Sequence, residues 1–97
     1  MYKYTVIVDD NFHHMENGER YKLGEFDTCE AAIAACKKVV DDFLIPTYEP
    51  HHTQEELWKL YTTFGDDAFI VTEDPACRFS GWNYARERCR EIAGNKV

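Results

Sequence analysis

Residues 2–26 read YKYTVIVDDNFHHMENGERYKLGEF, and the way this stretch folds back on itself decides the architecture. Its first part, YKYTVIVD, is rich in β-branched and aromatic residues. Alternation sets Tyr2, Tyr4, Val6 and Val8 on one face and Lys3, Thr5, Ile7 and Asp9 on the other, the pattern of a strand with one buried face. Asn17-Gly18 marks a turn, and RYKLGEF can return with Tyr21 and Leu23 facing the same core. The expectation is a hairpin closed by the long loop DNFHHMENGE.

Helical signals follow the hairpin. Asp27 with Glu30 three residues on reads as a capping box, and TCEAAIAACKKVVDDFL is helical by propensity and period. Its buried stripe is expected to be Cys29, Ile33, Cys36, Val40, Phe43 and Leu44. IPTYEPHH, with prolines at 46 and 50, reads as a connection. Thr53 and Glu56 then form a second box, ahead of Leu57, Leu60, Tyr61 and Phe64 at helical spacing, and Gly65 stops the run. AFIVTED, residues 68–74, reads as a strand, and DPA as a turn into a short strand, CRF. A last helix starts near Ser80, with Trp82, Ala85, Cys89, Ile92 and Ala93 on one arc and Gly94 as terminator. These elements predict a single two-layer α+β domain over residues 1–97. It has an antiparallel sheet of about four strands with three helices on one face, in the order β-β-α-α-β-β-α. The alternative is a mixed sheet with AFIVTED at its centre.

The totals narrow the function classes. Ninety-seven residues make one domain, large enough to bury a core without a metal or disulfides. The net charge is −7, which disfavours nucleic acid and acidic membranes, because both require a surplus of Lys and Arg. The charge is uneven: residues 1–74 hold 6 Lys+Arg against 16 Asp+Glu, and residues 75–97 hold 5 against 2. MYKYTVIVDD reaches two acids at once, so it reads as neither a signal peptide nor a membrane span. A cytoplasmic setting is therefore expected, with Cys29, Cys36, Cys77 and Cys89 as free thiols and a disulfide framework as the minor alternative.

All four histidines lie in two adjacent pairs, His13-His14 and His51-His52. Adjacent side chains in an extended segment diverge, so neither pair chelates alone. A shared site would take one histidine of each pair together with Asp9 or Asp10. DDNFHHMENG fails the calcium-loop pattern, since the sixth residue from Asp9 is His14 rather than glycine. No C-x-x-C is present, and Cys29 and Cys36, seven apart on one helix face, lie roughly 10 Å apart along its axis, too far to bridge. Core packing accounts for Cys29, Cys36 and Cys89, and Cys77, in DPACRF, is the expected exposed thiol. The isolated glycines form neither a P-loop nor a dinucleotide fingerprint. The acid pairs suit helix ends and turns, that at 66 and 67 falling in the turn after Gly65. Among the aromatics, Trp58 lies at the edge of its helix's apolar stripe. With Phe12, Met15 and Tyr48 it could form an exposed apolar patch suited to a partner or to self-association.

Through VDDNFHHMENGERYKLGEF, CEAAIAACKKVVDDFL, YTTFGDDAFIV and FSGWNYARERC, the chain resembles short bacterial proteins of unassigned function. That resemblance implies a bacterial cytoplasmic stand-alone domain and carries over no activity, substrate or catalytic residue. The residues point to a protein-interaction module, with a dimer as one form of it and no cofactor, rather than to an enzyme. The competing expectation is a metal- or thiol-dependent activity using the histidine-rich loop and Cys77.

Overall fold

A computed structural model describes residues 2–94 apart from 11–19. The elements are β1 (Tyr4–Asp10), β2 (Arg20–Phe26), α1 (Cys29–Thr47), α2 (Gln54–Phe64), β3 (Asp66–Val71) and α3 (Gly81–Ala93). The expected hairpin is present, with β1 antiparallel to β2. β3 pairs antiparallel with the other edge of β1, so the sheet runs β2-β1-β3. The α+β class holds, whereas the four strands, the order β-β-α-α-β-β-α and a central AFIVTED do not. CRF forms no strand: Cys77 N–H bonds to the Asp74 carbonyl, closing a turn that leads directly into α3.

β3 also starts earlier than expected, at Asp66, so both acids of the 66–67 pair belong to the strand, opposite Asp10 and Asp9. Burial and the charge of Asp9 raise the Asp67 carboxyl pKa above the ordinary carboxylate value. Tyr21 and Leu23 do not reach the core. The register slips between Val6 and Ile7, and both side chains stay exposed on the edge strand beside a shallow groove against Ala35 and Val39 of α1.

Each helix begins at a side-chain cap. In α1 the cap is Thr28, not Asp27: the Thr28 hydroxyl accepts from Ala31 N–H, while the Asp27 carboxylate takes a hydrogen bond from Lys3 Nζ at 2.9 Å. The helix runs on through Pro46, and Tyr48 N–H closes its end on the Leu44 carbonyl. The expected reciprocal box at Thr53 and Glu56 opens α2. Gly65 caps the end of α2, its N–H donating to the Tyr61 carbonyl, and a Cβ there would run into the Tyr61 ring. Ser80 caps α3 through Asn83 N–H, and Gly94 ends it at φ 69°, in the left-handed region.

α1 spans two clusters. Its N-terminal half lays Ala32 and Cys36 on Tyr4, Val6, Val8 and Ala68 of the sheet. Its C-terminal half lays Val40 and Leu44 against Leu57 and Tyr61 of α2 and Ala85 and Cys89 of α3. Ala32 occupies the buried position expected for Ile33, which is only half-buried. Among the described residues no helix is long and apolar enough to cross a membrane.

Candidate functional site

The connection between α1 and α2 is a closed turn. Pro50 presets its backbone, His52 N–H donates to the Glu49 carbonyl at 2.8 Å, and Glu49 N–H donates to His52 Nδ1 at 3.0 Å. The segment is therefore not extended, and the divergence expected of His51 and His52 does not apply. Their ring centroids are 4.5 Å apart, and one ligand atom from each, with one from Glu49, falls within a 4.8 Å cluster. Two imidazoles and a carboxylate match the donor set of zinc and related divalent metals. The Glu49 hydrogen bond leaves His52 Nδ1 as an acceptor, so the ring proton sits on Nε2. A metal at Nε2 would have to displace that proton and the Glu49 bond with it.

The shared site drawn from both histidine pairs and the β1 acids does not assemble from the described residues. The Asp9 carboxylate is held by Arg20 through Nε and Nη2. Asp9 and Asp10 pair with Asp67 and Asp66, just beyond the C-terminal end of α2, whereas His51 and His52 precede its N-terminus. The eleven residues of α2 put about 16 Å of helix between the two ends. His13 and His14 lie outside the described residues.

The aromatic surface divides in the same way. Phe12 and Met15 lie outside the described residues. Tyr48 and Trp58 are half-buried and pack at the margin of the helical cluster. Trp58 stacks on Tyr61 with centroids 6.0 Å apart and meets the edge of Trp82 at 5.4 Å, and the Arg86 guanidinium lies 5.3 Å above it. Glu55 accepts a hydrogen bond from the same guanidinium, tying α2 to α3. Trp82, expected in the core, is instead 41% exposed. It is the second residue of α3, and its ring meets Trp58 and Tyr61 of α2 edge-on while keeping one side open to solvent.

Cys77 is not a free thiol. It is bonded to Cys29 in a disulfide with Cα atoms 5.7 Å apart, and this also corrects Cys29 as a free core thiol. Cys36 and Cys89 are free and buried, as expected, and burial pushes both thiols up to about 11. Three features escaped the sequence: Glu49 as a third donor, Trp82 as a surface ring and the disulfide. The Glu-Pro of a turn was a usable signal for the first, and the position of Trp82 in the first turn after a Ser cap was a usable signal for the second. No signal for the disulfide was available, because its partners lie 48 residues apart.

No protein-family model, no curated protein and no solved structure matches the chain.

Proposed function

We propose that this protein is a small, non-catalytic, cytoplasmic interaction module that binds a protein partner or a second copy of itself across the α2–α3 seam. The observation that carries this reading is the Trp58–Trp82 pair with Arg86 laid over Trp58. Tryptophan and arginine are enriched among the residues that dominate the binding energy of protein interfaces, and tryptophan buries much area with only two rotatable bonds. An exposed Trp82 ring on a surface already braced by Tyr61 and the Glu55–Arg86 pair offers such an anchor in a fixed orientation. Tyr48 extends the proposed surface through its place at the margin of the same cluster. The net charge of −7 argues against nucleic acid as the partner.

The test is solution mass by light scattering over a range of concentrations, for the wild type and for Trp82→Ala and Trp58→Ala. A dimer that Trp82→Ala converts to monomer supports self-association. A monomer that loses a cross-linked cellular partner on the same change supports a hetero-partner. A monomer whose cross-linked partners are the same with and without Trp82 sinks the reading.

The second reading is divalent-metal binding, favoured by the convergence of Glu49, His51 and His52. Calorimetric titration of untagged protein with zinc tests it. Binding at one equivalent that His51→Ala abolishes would establish the site, and heat unchanged by that substitution would dismiss it.

A further inference from the structure

The four cysteines fall into two chemically distinct pairs. Cys36 and Cys89 are enclosed in the two clusters, with thiols raised to about 11, so neither supplies a thiolate near neutral pH. Cys29 and Cys77 are half-buried and bonded to each other. Neither buried cysteine is placed to trade partners with them: Cys36 lies two helical turns along α1 from Cys29, about 10 Å.

The two sulfurs of the bond have different surroundings. Cys77 forms part of the wall of an open groove of about 500 Å³, with Ile70 and Phe79 as apolar walls and Arg78, Ser80 and Asn83 as polar ones. That is room for a small thiol to approach. Cys29 is the first residue of α1, where the helix dipole stabilises a thiolate. Glu30 beside it opposes that effect, and Arg78 beside Cys77 favours an incoming anion. In thiol–disulfide exchange the better-stabilised thiolate leaves, and the accessible sulfur is attacked.

The connection that carries Cys77 is anchored independently of the bond. Tyr4 Oη donates to Asp74 Oδ2 at 2.7 Å, Ala76 N–H donates to Asp74 Oδ1 at 2.9 Å, and Cys77 N–H closes on the Asp74 carbonyl. Opening the disulfide therefore leaves residues 74–77 tied to β1 by Tyr4.

We propose that Cys29–Cys77 is a thiol-exchange site that opens and closes in the folded protein with small thiols as its reaction partners. A thiolate RS⁻ attacks the Cys77 sulfur; the new S–S bond forms there as the Cys29–Cys77 bond breaks, and Cys29 leaves as the thiolate. A second RS⁻ attacks the R sulfur of that mixed disulfide, releasing RSSR and Cys77 thiolate, and water protonates the two protein thiolates according to pH. In balance, two RSH are oxidised to RSSR and the protein disulfide is reduced to a dithiol. The closing direction is the same sequence run from RSSR.

The experiment uses the wild type under native conditions with reduced glutathione as the probe. Samples are alkylated at intervals and weighed by mass spectrometry, and near-ultraviolet circular dichroism monitors packing. The opening rate is expected to rise in proportion to glutathione without a plateau, while the dichroism is retained. A rate that levels off at the global unfolding rate measured by hydrogen exchange would overturn the proposal. In the wild type, acid quenching early in the reaction and peptide mass mapping are expected to find glutathione on Cys77, with Cys29 as the free thiol. Glutathione found mainly on Cys29 would overturn the assignment of attack.

Discussion

The two halves of α1 build different cores. Under its first half lie Tyr4, Val6, Val8, Ala32, Cys36 and Ala68, against a three-stranded sheet whose edge residues Tyr21 and Leu23 remain exposed. Under its second half lie Val40, Leu44, Leu57, Tyr61, Ala85 and Cys89, bordered by Phe43, Tyr48, Trp58 and Tyr84. Burial stabilises roughly in proportion to apolar area, so Leu44 and Leu57 give the helical half the larger contribution. The sheet half carries the only disulfide among the described residues, linking the start of α1 to the segment after β3. The sheet half carries a covalent tie, and the helical half is joined instead by packing and by the polar contacts of Asp41 with Tyr84 and Arg88 and of Glu55 with Arg86.

The largest effect is expected from cutting that tie. Closing a loop between residues 48 apart removes about 4 kcal/mol of chain entropy from the unfolded state. Urea unfolding of the oxidised protein and of the Cys29→Ser/Cys77→Ser double variant should differ by about that amount. A change below about 1 kcal/mol would mean that the sheet half does not depend on the bond. Leu57→Ala attacks the other half, where a fully buried leucine gives way to a cavity at a cost of about 3 kcal/mol. Hydrogen exchange should then show α2 and α3 losing protection before β1. Equal loss in both regions would show that α1 welds the two cores into one cooperative unit.

Smaller changes sharpen the comparison at its margins. Thr53→Ala removes the cap of α2 and should cost about 1 kcal/mol. The Glu56 side of that box is pH-dependent. Hydrogen bonding from Thr53 N–H holds its carboxyl below the ordinary 4.5, so its contribution is complete above that value and is lost as pH falls through the folded pKa. Wild type and Glu56→Gln should therefore converge in acid, as thermal melts across the pH series would reveal. Asp67 has the opposite sign. Its carboxyl is raised above 3.8 by burial and then by Asp9, so ionisation costs stability at neutral pH and acid relieves the cost. Asp67→Asn should raise the neutral melting temperature slightly, and the advantage should fade as pH falls through the folded pKa.

Legibility followed the range of the interaction. The Thr53–Glu56 box, the Ser80 start of α3 and the alternation of Tyr4, Val6 and Val8 operate within a few residues, and each stands where the sequence placed it. Asp27 misled because its charge was answered by Lys3, 24 residues away, which left the cap to Thr28. CRF looked like a strand because its composition suits one. The one free edge of β1 was taken by β3, and the turn at Asp74 turns the chain into α3. Of the candidate site, the His51-His52 pair was legible, but its geometry was not. Divergence in an extended chain became convergence once Pro50 and two hydrogen bonds curled it.

The sequence by itself determined the hairpin, three capped helices and an acidic chain of one-domain length, because periodicity, capping and charge are properties of neighbours. Tertiary structure alone decided that β3 flanks β1, that Trp82 stands over the α2–α3 seam, and that Cys29 meets Cys77. The physical reason is common to all three. Each depends on which distant surfaces bury one another, and the free energy of that choice is summed over the whole molecule rather than written in any short stretch of it.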